Sequence, residues 1–198
     1  DKKGEIDFLT KKIMPNIGII TNISYAHIKN FKNLKGVAHA KSEIINNIVE
    51  HGSIILNADD KFFKFFKSKS KKKKLRIISF GIKNKSDVSL ININKGKFNS
   101  VIYIKNNEKK LKFVIKKNLE NYIYNILSTL AVISVYFDLD KLDKFFFNDY
   151  RFPEGRGDLN IIKLKEKKIN LIDESYNSNP LSLQFALNKL NSLNTKSK

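Results

Sequence analysis

Three short apolar runs in the first 80 residues, each closed by polar or glycine punctuation, constrain this chain more than any other feature of its sequence. Ile17 to Thr21 follows Pro15 and opens into Asn22; Gly52 to Leu56 ends at Asn57-Ala58-Asp59-Asp60; Leu75 to Phe80 stops at Gly81. Continuous rather than alternating hydrophobicity over so few residues predicts strands buried on both faces. Between the first two runs, Val37, Ala40, Ile44, Ile45 and Ile48 recur at helical spacing, with Gly52 beyond His51 as a stop signal. After the second, the Asn57 to Asp60 cluster is suited to cap a helix over Lys61 to Lys67, leaving the basic run Lys67 to Lys74 as a loop. Strands alternating with helices predict an α/β sheet of the doubly wound kind, whose ligands bind beyond the carboxyl ends of the strands. Thr21-Asn22 and Asn57 to Asp60 stand at such ends.

The period then changes. Val88 to Ile93, Phe98 to Ile104 and Leu111 to Ile115 alternate in the β manner and are split by Asn, Lys and Gly turns, which predicts a small antiparallel insert. Glu120 to Phe137 reads as a helix with Ile123, Leu127, Leu130 and Ile133 or Ser134 along one face. Pro and Gly concentrate in Phe152-Pro153-Glu154-Gly155-Arg156-Gly157, so a boundary is expected there, dividing the chain into domains 1–152 and 153–198. Beyond it, Ile161 to Leu164 and Ile169 to Ile172 read as a hairpin, and Pro180 to Leu193 as a helix with Leu183, Leu187 and Leu190 on one side.

Composition excludes some chemistry. With no Cys among 198 residues, disulfides, thiolate metal sites and cysteine nucleophiles are ruled out, and a cytoplasmic setting is expected. No run approaches a membrane span, and Asp1-Lys2-Lys3-Gly4 has neither an initiator Met nor a signal-peptide pattern, so the chain reads as cut from a longer one. A net charge of +19 raises nucleic-acid binding, yet only Arg76, Arg151 and Arg156 carry the guanidinium that base and phosphate readers favour. The Lys excess travels with Ile, Asn and Phe as a general bias, and no nucleic-acid partner is expected.

Four polar constellations remain. Thr21-Asn22-Ile23-Ser24-Tyr25-Ala26-His27 precedes Ala38-His39-Ala40-Lys41-Ser42-Glu43-Ile44, placing a loop His and a helix Lys at the mouth of the sheet. Such a pair can hold a metal or a phosphate, or be a solvated loop and nothing more. The second is Asn57-Ala58-Asp59-Asp60, a strand-end cluster or a helix cap; the third is Tyr122-Ile123-Tyr124-Asn125 at a helix start. The fourth joins Gly155-Arg156-Gly157 to Asp173-Glu174-Ser175-Tyr176-Asn177-Ser178-Asn179-Pro180, an Asx-rich turn ahead of a helix.

The string from Pro15 to Ile44 resembles the central ATP-binding domain of the Mur ligases, with Thr-Asn-Ile, Ala-His and Ala-Lys-x-Glu-Ile in the same order and spacing. Asn57 to Asp60 is similar to the family's strand-end Asn-x-Asp-Asp. Tyr122 to Leu127 is similar to the helix start whose Asn, here Asn125, contacts adenine, although Leu119-Glu120-Asn121 replaces an expected Gly-x-His. Asp173 to Pro180 resembles the Asp-Asp-Ser-Tyr-Asn-Ala-Asn-Pro of the members that add D-alanyl-D-alanine, with Glu174 in place of the second Asp.

The resemblance implies a doubly wound central domain and the start of a Rossmann-like C-terminal domain. It also implies a monomer that uses ATP and Mg2+ to join UDP-N-acetylmuramoyl-tripeptide and D-alanyl-D-alanine through an acyl phosphate. Lys41, His27 and Arg156 would be catalytic. His27, a carbamylated Lys41 and Glu43 would serve the metal. Asn22, Asn57, Asn125, Arg156, Asp173, Glu174, Tyr176, Asn177 and Asn179 would meet the nucleotide or close the domains on it. No Gly-x-x-x-x-Gly-Lys-Ser/Thr phosphate loop occurs in these residues. The alternatives are a sister ligase adding a diamino acid or Lys, a folylpolyglutamate synthase, a basic nucleic-acid-binding module, and an inactive remnant.

Overall fold

The three apolar runs form the parallel strands β1 (Ile17–Ile20), β2 (Ser53–Asn57) and β3 (Arg76–Gly81), paired side by side in that order in the computed structural model. It describes residues 2–25, 30–164, 167–176 and 180–192, so the candidate ligands His27, Asn177 and Asn179 lie outside the described residues. The chain divides into two units, 1–148 and 149–198.

In the first unit, β3 touches β4 (Val88–Asn94) in parallel over only Phe80↔Val88 and Gly81↔Ser89, at the end of β3 and the start of β4. Just ahead of the paired residues, the Asp87 carboxylate takes the Ser79 N–H at 2.7 Å and the Ser79 hydroxyl at 2.6 Å. β4, β5 (Asn99–Asn106) and β6 (Lys109–Lys116) then form the expected antiparallel insert as a continuation of the same sheet.

Helices α1 (Glu5–Ile13), α2 (Leu34–Lys41), α3 (Glu43–Asn47) and α4 (Phe63–Lys72) accompany the parallel strands. Ala38, Ile45, Ile48 and Phe66 from α2, α3, α4 and the loop after α3 pack on Ile20, Ile54 and Leu56 of β1 and β2. By strand alternation Ile55, Ile78 and Phe80 face the other way. α5 (Ile123–Ile133) packs on β2, β3 and β4 without joining that cluster, so helices cover both faces. It buries Ile123, Ile126, Leu127, Leu130 and Ala131.

Several helix limits differ from the expectation. The single helix through Val37 to Ile48 is broken at Ser42, whose hydroxyl donates back to the His39 carbonyl at 2.6 Å while Lys69 Nζ donates to the Ser42 carbonyl at 3.1 Å and to its hydroxyl at 3.0 Å. Lys41 is therefore the last residue of α2, not a residue one turn into a long helix. The run Lys67 to Lys74 is helical as far as Lys72, because Phe66 and Ser70 bury one side of α4 while Lys67, Lys71 and Lys72 are exposed. The segment from Glu120 starts as a 3-10 turn, Lys117–Tyr122, before α5.

The second unit pairs β7 (Asp158–Leu164) with β8 (Lys167–Asp173) in antiparallel register and continues into α6 (Pro180–Ser192).

Candidate functional site

The carboxyl ends of β1, β2 and β3 are tied into one hydrogen-bonded rim by the turn Asn57-Ala58-Asp59-Asp60. Asn57 Nδ2 donates to the Thr21 carbonyl at 2.9 Å, and its Oδ1 accepts the Asp59 N–H at 2.9 Å. Asp60 accepts the Ile23 N–H at 2.8 Å with one oxygen and the Phe62 N–H at 2.8 Å with the other. Asp59 accepts the N–H groups of Ile82 at 2.6 Å, Lys83 at 3.0 Å and Asn84 at 2.7 Å, and the Tyr124 hydroxyl at 3.0 Å. The turn thus holds the loop after β1, the loop after β3 and the start of α5. It does not cap α4, whose N-cap Phe62 makes no side-chain cap bond. Gly81 belongs to this arrangement: a Cβ there would stand 3.1 Å from an Asp59 carboxylate oxygen.

Lys41 reaches the same rim, its Nζ donating to the Asn22 carbonyl at 3.0 Å. Burial pushes its ammonium below the ordinary lysine value, with the Asp60 charge acting in the opposite direction. The Asn22 side chain is exposed and makes no hydrogen bond among the described residues, and the same holds for the Asn125 side chain in the first turn of α5. Asn57, by contrast, has both ends of its amide engaged.

Glu43 stands apart from the place expected for it. Its two oxygens accept the Gly4 N–H at 2.8 Å and the Asp7 N–H at 3.2 Å, so it satisfies the amino end of α1, where backbone donors lack helical partners. Among the described residues no cluster of three or more His, Cys, Asp or Glu side chains could hold a metal ion. Asp60, the acid nearest Lys41 in the rim, accepts one backbone N–H on each of its oxygens.

In the second unit the Gly155-Arg156-Gly157 turn rests on Asp173 to Tyr176. Gly157 N–H donates to the Asp173 carbonyl at 2.6 Å, and Tyr176 N–H to the Gly155 carbonyl at 3.1 Å. Gly155 has φ 70°, and a Cβ on it would lie 2.9 Å from the Tyr176 nitrogen, so the turn requires glycine there on both counts. The Arg156 guanidinium carbon stands 4.2 Å from the centroid of the Tyr176 ring, a cation–π stack on a residue 67% exposed. Asp173 accepts the Ser175 N–H at 2.9 Å, and Ser175 holds its carboxyl below the usual range. One oxygen of Glu174 is buried without a hydrogen-bond partner among the described residues.

The roles of Asp59, Asp60 and Tyr124 as the struts of the rim were not foreseen from the sequence. The signal was present in Gly81 and in an acidic pair at a strand end, but its partners lie 23 to 65 residues away.

Residues 2–133 match the family described as the Mur ligase middle domain. The chain is 31% identical, over 96% of its length, to the UDP-N-acetylmuramoyl-tripeptide--D-alanyl-D-alanine ligase of Buchnera aphidicola subsp. Baizongia pistaciae, and covers 40% of that protein. It is 27% identical, over 87% of its length, to the UDP-N-acetylmuramate--L-alanine ligase of Borrelia garinii, covering 37% of it. Among solved structures it is similar to MurF from Acinetobacter baumannii, with a TM-score of 0.82 and 26% identity over 98% of this chain and 41% of that one. The chain thus spans about two fifths of the length of the relatives it matches.

Proposed function

Because the chain belongs to the Mur ligase family, by the match of its residues 2–133 to that family's middle domain, we propose that it works in an ATP-dependent amide ligase of peptidoglycan synthesis in the cytoplasm. The substrates in this reading are UDP-N-acetylmuramoyl-tripeptide and D-alanyl-D-alanine. The observation that carries it is the rim, which gathers Lys41, Asn22 and Asn125 at the carboxyl ends of parallel strands, the place where open α/β sheets bind nucleotides. The choice of dipeptide rests on the Asp173 to Pro180 string and on the Buchnera relative.

In the first step a carboxylate oxygen of the tripeptide attacks the γ-phosphorus of ATP, and the bond to the ADP oxygen breaks. In the second, the dipeptide amine attacks the acyl carbon, phosphate leaves, and the nitrogen loses a proton. Both steps ask for positioning and for cations facing phosphoryl oxygens. Arg156 is assigned that task, its guanidinium pre-aligned by the Tyr176 ring. Asn125 is assigned the adenine edge and Asn22 the nucleotide, while Asn57 keeps a bracing role. Asp173, Glu174, Asn177 and Asn179 belong to the nucleotide or to closure of the domains. Magnesium would be held by His27 and a carbamylated Lys41, and would supply neutralisation of the charge on the phosphoryl oxygens.

The test is to give the intact ligase ATP, UDP-N-acetylmuramoyl-tripeptide and D-alanyl-D-alanine and follow ADP release and product mass. The expected product gains one dipeptide. Product formed instead from UDP-N-acetylmuramate and L-alanine would reassign the chain to the other branch of its relatives.

A further inference from the structure

The second unit holds a lysine that the reaction above leaves unused. Lys189 in α6 is 8% exposed, and its Nζ donates to the Gly157 carbonyl at 2.7 Å while lying 5.3 Å from the centroid of the Phe152 ring. A lysine is rarely buried this far, because its ammonium must give up water and its long stem loses rotamer freedom. Something must hold it there, and one partner it meets is the backbone of the turn that carries Arg156. Of the leucines expected to seat α6, Leu190 is half-buried, but Leu183 and Leu187 are 54% and 51% exposed.

The peptide units of Gly157 are consequently held from two sides. Its N–H goes to the end of β8 at Asp173, and its carbonyl goes to α6 at Lys189. On the other flank of the turn, Gly155 accepts from Tyr176, whose ring carries the Arg156 guanidinium. Two glycines with positive φ, 70° and 85°, bracket Arg156, and glycines freeze their backbone only where tertiary bonds hold them. We propose that Lys189 is a positioning residue that clamps the Gly155-Arg156-Gly157 turn through the Gly157 carbonyl and so aims the Arg156 guanidinium. This rests on the reading of Arg156 as the cation facing the phosphates.

The experiment uses the intact ligase with Lys189→Met, which keeps the length and loses the donor, and Lys189→Arg, which keeps a donor. Hydrogen exchange reads the clamp itself. Lys189→Met should speed exchange of the Gly157 and Tyr176 amides about tenfold, and Lys189→Arg much less, since local opening sets those rates. Kinetics read the aim: Lys189→Met should lower kcat roughly ten- to a hundredfold with little change in the KM for ATP, as for a misplaced catalytic group. In an Arg156→Ala background the same change should cost less than about twofold, because residues that act through one another are not additive. Unchanged exchange overturns the clamp, and an undiminished loss in the Arg156→Ala background overturns the aim. A silent Arg156→Ala alongside accelerated exchange overturns the role given to Arg156, leaving Lys189 as a clamp of the turn only. Should Lys189→Met not fold, Lys189→Leu, which also lacks a donor, carries both readouts.

Discussion

The Tyr124 hydroxyl donates to the Asp59 carboxylate at 3.0 Å, across 65 residues of chain, and so joins the first turn of α5 to the turn that ends β2. The same carboxylate gathers three consecutive N–H groups of the loop after β3. Asn125 follows Tyr124 directly, so the position of the proposed adenine contact is set by an acid that need not touch the nucleotide. Removing Asp59 releases all these donors at once, and the half-buried ones, Ile82 N–H and the Tyr124 hydroxyl, cost most when left unmade. Asp59→Ala is therefore expected to raise the KM for ATP in the intact ligase as well as to lower stability. Tyr124→Phe, which removes one bond and keeps the ring, should do less of both.

This pair also predicts how stability depends on pH. Burial pushes the Asp59 carboxyl up, but the bonds from Ile82, Lys83, Asn84 and Tyr124 outweigh it and hold it below the ordinary value. A carboxyl lowered in the fold contributes stability at pH above its unfolded value, and that is lost as pH falls through the folded value. For Tyr124 the sign reverses: burial first, then the bond to Asp59, raise the phenol to about 12 from 10.0. Its contribution is whole below the unfolded value and disappears as pH climbs from there to the folded one. Thermal unfolding should thus show a steeper alkaline decline in the wild type than in Tyr124→Phe, and a steeper acid decline than in Asp59→Asn. Parallel curves for wild type and Tyr124→Phe above pH 10 would show that this bond does not govern the site.

The strands were legible because burial leaves a direct mark: β2 is apolar through Ile54-Ile55-Leu56 and β5 alternates through Val101-Ile102-Tyr103-Ile104, as a two-faced and a one-faced strand require. The break at Ser42 was not, because half of what holds it comes from Lys69, 27 residues on. The helical course of the Lys67 to Lys72 run was hidden for a related reason. Lysine on the outward face says nothing about Phe66 and Ser70 on the inward one. Of the candidate residues picked out by pattern, Lys41 reaches the rim, whereas Glu43 does not. A carboxylate two residues from a candidate ligand is placed by the fold, and here the fold turns it to Gly4 and Asp7.

Arg156→Ala and Asn125→Ala should part in their effects. A guanidinium that faces developing charge is used in the transition state, so its loss should lower kcat by about a hundredfold or more. An adenine contact is the same in ground and transition states, so losing it should raise the KM for ATP and leave kcat nearly intact. Steady-state kinetics at saturating second substrate separate the two. Equal, small changes in both parameters would remove both assignments.

These 198 residues contain no Gly-x-x-x-x-Gly-Lys-Ser/Thr. Phosphoryl transfer needs a cradle of backbone N–H groups and cations around the β- and γ-phosphates. The chain by itself is therefore expected to turn over no ATP. A magnesium-dependent ATPase measured on it, in a preparation free of contaminating activity, would mean that the phosphates are held by residues other than those proposed.

Lys41 stands where a metal or a phosphate could use it. Its amine rests 3.0 Å from the Asn22 carbonyl at the rim, and burial has already lowered its affinity for a proton. As a cation it would repel magnesium held near His27, since like charges oppose one another most where water is scarce. Carbon dioxide reacts with the neutral amine, forming an N–C bond with loss of a proton, and the carbamate that results is an anionic oxygen donor on a long stem. Burial favours the neutral amine that this reaction consumes, so the environment supports the modification without itself being the reason for it. The competing role is a lysine that contacts phosphate as a cation. In the intact ligase Lys41→Ala is expected to be nearly inactive under either role. Short carboxylates such as acetate should restore part of the turnover if the missing group is an anion, and small alkyl amines should restore it if the missing group is a cation. Rescue by amines alone would return Lys41 to the phosphate-binding role and leave magnesium without the ligand proposed for it here.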